Sequence, residues 1–326
     1  MMIAANIISL TILFAVPLLL VALGGMFSEH SGVINIALEG MMIIGALFAC
    51  FTLQGLDQSG FGSAHPQISM LIAILVAGVT GMIFSLLLGF AAINLKADQT
   101  IGGTALNQFA PAFAVVMTWA IQGQGLTTIS IPSWVRITRD TFGLAPVDGP
   151  SFWNNLIFKY FYLTTPVAIV LFIAAYIVMY KTRFGMHLRA CGDNPHAVDA
   201  AGRQVGQIRL AAIMICGALS GLGGICFAYS ISANFSSSIY VGYGYLAIAA
   251  LIFGNWRILP TLGACLLFGF ARSGGYRLVQ VLQMPSSYQD LVMILPYVLT
   301  LLLLVFFSKQ NGAPRALGVI YDKGAR

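Results

Sequence analysis

The sequence predicts an all-α integral membrane protein with about nine transmembrane helices. Apolar residues make up 59% of the 326 residues, and charged residues only 8%. A soluble domain of this size carries roughly a quarter charged residues. Successive apolar runs have the length of about 20 residues that one membrane-spanning helix requires, so we expect helices rather than a barrel. Residues 1–326 are therefore expected to form a single transmembrane domain.

The predicted spans follow one another with short polar links. No basic residue precedes the first apolar run, so it lacks the positive region of a secretory signal peptide and is kept as a span. A tight turn is expected at 27–32. The short piece at 242–254 either crosses the membrane or re-enters it from one side. Such short pieces are tolerated only where protein or a water-filled cavity covers them. The predicted spans are 7–26, 33–53, 68–93, 100–121, 160–180, 210–230, 242–254, 258–280 and 289–307.

Lys and Arg are distributed unequally between the predicted loops, with 11 on one side and 5 on the other. The larger group comprises Lys96, Arg257 and the basic residues of 181–209 and of the tail 308–326, and the smaller comprises those of 123–159 with Arg272 and Arg277. The positive-inside rule then places 181–209 and the tail in the cytoplasm and the loop 123–159 outside. Nine crossings put the N-terminus outside and the C-terminus inside. We expect the polar tail to end free.

The most polar segment, 181–209, contains seven of the 26 charged residues and separates two predicted spans. Its local signals predict a short helix, because Asn194 suits the N-cap, Pro195 the first helical position and Gly202 the C-terminal stop. Three alanines at helical spacing give this helix one face of small side chains. The segment is either a solvated loop or a rigid element that enters a partner's cleft. Capping at both ends favours docking.

The stretch GMHLRACGDNPHAVDAAG at 185–202 resembles the cytoplasmic coupling loop of ABC-importer permeases of the branched-chain amino acid, ribose and nucleoside group. SGVINIALEGMMIIGAL at 31–47 and GYGYLAIAALIFGNW at 242–256 extend the likeness over most of the chain, closest to the nucleoside or simple-sugar branch. The resemblance implies a short cytoplasmic coupling helix that sits in a groove of a separate ATPase subunit. The residues expected to form this coupling element are Gly185, Arg189, Gly192, Asp193, Asn194, Pro195, Ala197, Ala200, Ala201 and Gly202.

The resemblance also implies a function and a set of partners. The chain would be a permease subunit that moves a small polar solute inward by alternating access. Nucleosides are the expected solute, and ribose-type sugars and then branched-chain amino acids are the alternatives. The expected partners are ATPase subunits that bind ATP and Mg²⁺, a second and different permease subunit, an extracytoplasmic solute-binding protein docking partly on 123–159, and membrane lipid. The chain itself would bind no cofactor, and it would lie in the bacterial cytoplasmic membrane.

Two polar residues in the second predicted span are candidates for the solute pathway. Glu39 is the one acidic residue well inside an apolar run, and a carboxylate at that depth suggests a function. Asn35 lies four residues earlier, on the same face of a helix. The pair either lines a polar stripe or holds a bent segment by bonding backbone N–H groups or a neighbouring helix.

Two further groups are candidates for contact with the solute. Thr104, Asn107 and Gln108 lie in the fourth predicted span, where amides and hydroxyls suit a neutral polar solute or bond neighbouring helices. Asn234, Phe235 and Tyr243 are expected near the outer mouth. Aromatic rings there stack on a solute or, as is common for Tyr, anchor the chain at the membrane interface.

Other classes of function find less support in the residues. No GxxxxGK[ST] or HExxH motif occurs, and no histidine lies in a predicted span, which argues against ATP binding by this chain and against an intramembrane protease. A self-sufficient secondary transporter would need ion-coupling carboxylates, of which the spans offer only Glu39. The five cysteines form no CxxC or Cys/His cluster and suit packing rather than a metal site. The net charge of +6 needs no nucleic-acid partner, since the positive-inside rule explains it.

Overall fold

The computed structural model describes residues 2–135, 162–281 and 312–323, together with residues 283, 294 and 298. Its helices are α1 (Met2–His30), α2 (Leu38–Gln58), α3 (Phe61–Ala64), α4 (Pro66–Gly89), α5 (Gln99–Gln122), α6 (Thr164–Lys181), α7 (Arg183–Asp193), α8 (Pro195–Ala200), α9 (Val205–Phe227), α10 (Tyr243–Phe253) and α11 (Ile258–Val281). Single π-helical turns, Phe90–Asn94 and Ala228–Ser232, extend α4 and α9, and 3₁₀ turns occur at Ser133–Val135 and Ser237–Tyr240. Strands β1 (Thr128–Ser130) and β2 (Asn234–Ser236) pair antiparallel, with Ile129 opposite Phe235.

Seven of the described helices are long and apolar enough to cross a membrane. The predicted spans up to 258–280 each correspond to a helix, although several bounds differ from the predicted ones. The turn predicted at 27–32 is wrong in its extent, because α1 continues to His30 and only Ser31 and Gly32 form a turn. The polar end of α1 remains helical because Glu29 and His30 both bond to Trp256. The predicted span 289–307 lies outside the described residues, except for 294 and 298, and so does most of the loop 123–159.

A seam of glycines joins α9 to its neighbours. The backbones of Gly45 and Gly81 lie directly against those of Gly221 and Gly217, so that a Cβ atom at any of these positions would collide with a neighbouring helix. Gly224 packs in the same way on the carbonyl of Met42. Small residues let membrane helices approach closely enough for extensive van der Waals contact. The stretch GALSGLGG at 217–224 therefore packs α2, α4 and α9 together.

One end of the bundle, called the α8 face, collects α7, α8, the end of α1, the α10–α11 link and residues 312–323. His30 Nε2 lies 2.9 Å from the carbonyl oxygen of Trp256, and Lys96 forms an ion pair of 3.0 Å with Asp322. Lys96, Arg257 and 181–209 thus lie at the same end of the molecule, in agreement with their assignment to one side by charge. The opposite end, called the β face, carries β1 and β2 and the indole of Trp134 bonded to Asp57.

The expectation of a free C-terminal tail is wrong for residues 312–323, which bond to the rest of the chain. The Ala316 amide donates to the Gly192 carbonyl at 2.7 Å, and the Gly318 amide donates to the Gly32 carbonyl at 3.0 Å. The buried guanidinium of Arg209 donates to the carbonyls of Ser31 and Val319. The tail therefore joins α7 to the α1–α2 turn, because buried backbone groups need partners and the tail supplies them.

Candidate functional site

The short helix predicted in 181–209 is present as α8, with the expected caps. The Asn194 side chain accepts a hydrogen bond from the amide of Ala197 at 3.1 Å, and Pro195 occupies the first helical turn. Gly202 has a φ of +74°, the left-handed conformation that ends a helix. The sequence did not predict α7, an amphipathic helix immediately before α8 whose N-cap Thr182 accepts from the amide of Gly185 at 3.2 Å.

The small face of α8 is exposed, and its opposite face is anchored. Ala197, Ala200 and Ala201 are solvent-exposed. On the other side Val198 packs with Cys191 and Val205 in a separate apolar cluster. Because methyl groups are small, this exposed face of an anchored helix lets a partner approach the backbone closely. Alanine side chains also lose no rotamer entropy when they are buried by a partner.

The other residues predicted for coupling lie behind this surface. A Cβ atom at Gly185 would collide with the carbonyls of Val178 and Met179, and one at Gly192 with the carbonyl of His30. Both glycines therefore serve packing inside the chain. Asp193 is exposed. Arg189 lies on α7, with its guanidinium carbon 5.4 Å from the ring centre of Tyr180 rather than beside the α8 alanines.

A buried polar junction forms where α2 begins. Residues 33–37 are not helical, and the Asn107 side chain donates to the Ile36 carbonyl at 2.7 Å and accepts from the Gly40 amide at 2.8 Å. Asn35 is 1% exposed and donates to the sulfur of Cys216. Asn107 lies eight residues after the start of α5, which places the junction about 12 Å into the helix, near the middle of a core about 30 Å thick.

Glu39 caps a half-length helix at this junction. Its carboxylate accepts from the amide of Gly242 at 2.8 Å and also from the amide of Gly244, at the N-terminus of α10. A helix of 11 residues rises about 16 Å, so α10 runs from the junction to the α8 face. An acidic group at a helix N-terminus satisfies free amides and complements the helix dipole. Of the two roles considered for Glu39, the contacts match the holding of a bent segment.

The remaining predicted pathway residues separate into exposed and buried groups. Thr104 and Gln108 lie on the exposed side of α5, along with Ile101 and Val116. Asn234 is exposed at the β face. Phe235 is 0% and Tyr243 3% exposed, so neither ring presents a free face. The structure therefore brings Asn35, Glu39 and Asn107 together, and it leaves Thr104, Gln108 and Asn234 open to a partner or solute.

Arg272 lies inside a membrane-spanning helix, although the charge count assigned it to the outer side of the membrane. It lies in α11, within the candidate span, and its guanidinium is 4.9 Å from the Phe14 ring centre and 5.1 Å from that of Tyr243. Its Nε is buried without a hydrogen-bond partner among the described atoms. The intramembrane position of a basic residue is a signal that the sequence offered and that the charge count passed over.

In the described part of the chain, no group of three or more His, Cys, Asp or Glu residues could hold a metal ion.

Comparison with protein families supplies the identification. The model of a family described as "Branched-chain amino acid transport system / permease component" matches residues 7–304. The chain belongs to this family. It is therefore a multi-pass protein of the cytoplasmic membrane and a translocation component rather than an enzyme, as its apolar helices also indicate.

Three relatives of this chain illustrate its place in the family. Guanosine ABC transporter permease protein NupQ of Bacillus subtilis is 38% identical over 98% of this chain and 97% of the relative. Nucleoside ABC transporter permease protein NupC of Lactococcus lactis is 36% identical over 97% and 96%. Guanosine ABC transporter permease protein NupP of Bacillus subtilis is 24% identical over 95% of this chain but 78% of the relative. No solved structure matches the chain.

Proposed function

We propose that this chain is the permease subunit of an ABC importer for nucleosides. The observation that carries the proposal is full-length similarity to NupQ and NupC, both named as permeases for guanosine or nucleosides. A buried junction of amide and carboxylate groups across broken helices agrees with this function, because irregular backbone at membrane depth occurs where it lines a cavity or is covered by protein. Ribose-type sugars are the alternative solute.

The proposed topology has nine crossings in a single domain over residues 1–326. The N-terminus lies outside, and the tail 308–326 and the coupling loop 181–209 lie in the cytoplasm. Residues 233–253 descend from the β face to the α8 face through the half-helix α10, which supports the crossing rather than the re-entrant alternative. The loop 123–159 is extracytoplasmic in this proposal, because β1 lies at the opposite end from α8.

The proposed mechanism is alternating access driven through α8. The exposed alanines of α8 enter a groove of an ATPase subunit, and the anchored side transmits the movement to α7 and α9. ATP and Mg²⁺ bind the ATPase subunits, and this chain holds no cofactor. A solute-binding protein delivers the nucleoside at the outer surface. The contacts of Val198 with Cys191 and Val205 support this route, because they tie α8 to the helices on both sides of it.

The proposed second permease is a different chain. Bacillus subtilis has two guanosine permeases, NupQ and NupP, and this chain aligns with nearly all of NupQ but with 78% of NupP. This chain therefore corresponds to NupQ more closely than to NupP, and a NupP-like chain would complete the pair. The exposed side of α5 supports a protein partner, because Thr104 and Gln108 are polar residues that would otherwise face lipid.

The function is tested by uptake of labelled guanosine, uridine and ribose in a strain that lacks this gene and is complemented with the wild-type chain. We expect guanosine and uridine uptake to fall to background in the deletion strain and to return on complementation, with ribose uptake unchanged. Loss of ribose uptake alone would assign the sugar alternative. Co-purification that yields only a homodimer with ATPases would contradict the proposed heterodimer.

A further inference from the structure

A cavity of about 600 Å³ opens at the α8 face and is separate from the exposed alanines of α8. Its wall is formed by the ends of α1 and α6, by α7 and by the α10–α11 link. Two arginines, Arg189 and Arg257, line it together with the side chains of Tyr180 and Asn255. No carboxylate is among its described lining residues, so the cavity presents positive charge and hydrogen-bond donors.

Arg189 is held in place by contacts that leave most of its donors available. Its Nε donates to the Gly185 carbonyl at 3.4 Å, and its guanidinium lies over the Tyr180 ring. The ion pairs found among the described residues, Lys96–Asp322 and Lys323–Asp199, involve neither of these two arginines. Arg189 and Arg257 thus have no carboxylate partner there. A fixed planar guanidinium with free terminal N–H groups matches the oxygen atoms of a phosphate.

The neutral groups of the cavity also offer donors. The Asn255 Oδ1 accepts from the Gly312 amide at 2.6 Å, which leaves the amide NH₂ for a ligand. The Tyr180 hydroxyl accepts from the Ile258 amide at 3.4 Å, which leaves its proton to be donated. Asn255 and Trp256 have φ angles of +50° and +55°, rare for two consecutive residues other than glycine. Such strain is retained mainly where a site depends on it.

We propose that this cavity binds the phosphate group of an anionic phospholipid. It lies where the spans α6 and α11 meet the α8 face, at the level of lipid head groups, and Trp256 and Tyr180 are residue types typical of that level. Basic pockets between membrane helices bind anionic head groups. Leu259 lines the cavity, is 59% exposed and supplies apolar contact for the acyl chains.

The test is native mass spectrometry of the intact transporter, purified from membranes with its other subunits and incubated with phosphatidylglycerol or phosphatidylcholine. We expect phosphatidylglycerol to be retained in preference to phosphatidylcholine. Arg189→Gln and Arg257→Gln should each weaken its binding about fivefold, since each basic residue contributes about that factor. Lys181→Gln with Arg183→Gln is the matched control, because both residues are exposed at the same end and do not line the cavity.

Further arms of the experiment distinguish a lipid head group from free phosphate and from a protein interface. Arg257→Lys, at an exposed position, keeps the charge and should retain most of the binding, and the elution volume on gel filtration shows that each variant is folded. Displacement of the lipid by excess inorganic phosphate would assign a free phosphate instead and overturn the lipid source. Equal retention of both lipids by the wild type, or equal retention of phosphatidylglycerol by the wild type and by the variant that combines Arg189→Gln with Arg257→Gln, would overturn the site itself. Loss of the ATPase subunits with unchanged lipid would assign the arginines to that interface and overturn the proposal.

Discussion

At the scale of single residues, the polar groups inside the bundle are used mainly to hold broken backbone. Asn107 bonds both a carbonyl and an amide of the chain around the start of α2, and Glu39 bonds two amides at the start of α10. Buried backbone groups without partners would each cost about 1–3 kcal/mol, so these side chains replace the missing helical bonds. A function in solute movement would add to this structural role.

Glu39→Gln and Glu39→Leu test this role. Gln retains an acceptor for the amides of Gly242 and Gly244, whereas Leu leaves them unsatisfied. We expect Leu to lower the free energy of unfolding by about 2–4 kcal/mol and Gln by about 1 kcal/mol. The measurement is thermal unfolding in detergent together with guanosine uptake. A Gln variant of normal stability without uptake would instead show that the charge itself acts in transport.

At the scale of elements, α8 and the glycine seam of α9 have opposite tolerances to substitution. The alanines of α8 face outward, so changes there should affect assembly and spare the fold. The glycines of α9 face other backbones, so any side chain there must displace a helix. This difference permits a separate test of each element.

Ala200→Glu should prevent docking of the ATPase subunit. A charge placed in the centre of a closely packed interface is not compensated, and we expect at least a tenfold loss of ATPase co-purification, equivalent to about 1.4 kcal/mol or more. Ala190→Glu is the matched control, because Ala190 is exposed on α7 outside the α8 surface. Unchanged ATPase recovery with Ala200→Glu would contradict the assignment of α8 as the coupling element.

Gly221→Ala should destabilise the bundle. The added Cβ would collide with the carbonyl of Ala77, and overpacking of this kind costs about 1–3 kcal/mol. Gly263→Ala, on α11, is the control, because a Cβ there meets nothing within 4 Å and alanine favours a helix. We expect a lower midpoint of thermal unfolding in detergent for Gly221→Ala alone. Equal midpoints for the two variants would show that the seam is more loosely packed than described.

At the scale of the whole molecule, basic residues and backbone contacts divide the described chain into two ends. The α8 face holds Lys96, Arg257 and the segment 181–209, and residues 312–323 bind to it through main-chain bonds. The exposed ion pairs Lys96–Asp322 and Lys323–Asp199 add little to this attachment, since such pairs contribute at most about 1 kcal/mol. Movement of α8 is therefore linked to the α1–α2 turn and to the tail.

Cysteine labelling tests the orientation of the two ends. All five native cysteines are buried, so we expect little maleimide labelling of the wild-type chain. Burial raises the pKa of the Cys191 thiol, so at pH 7–8 it stays protonated and reacts with maleimide slowly, since the thiolate is the reactive form. We expect Ser63→Cys to be labelled by an impermeant maleimide in intact cells, and Ala190→Cys, which is exposed outside the α8 surface, only after permeabilisation. The reverse pattern would contradict the proposed topology.

The sequence by itself determined the membrane class, the family and most of the helices, because length, apolarity and capping are local properties. It predicted α8 from Asn194, Pro195 and Gly202, and the structure places these caps as expected. It did not predict the glycine seam, although the GxxxG spacing of Gly217 and Gly221 was a usable signal.

Only the tertiary structure decided what the polar residues contact. Asn107 bonds residues that lie 67 and 71 positions away, Glu39 caps a helix 203 positions away, and the tail binds to α7. The reason is physical: a buried donor or acceptor is satisfied by whatever group packing brings within about 3 Å, and sequence periodicity carries no information about that neighbour.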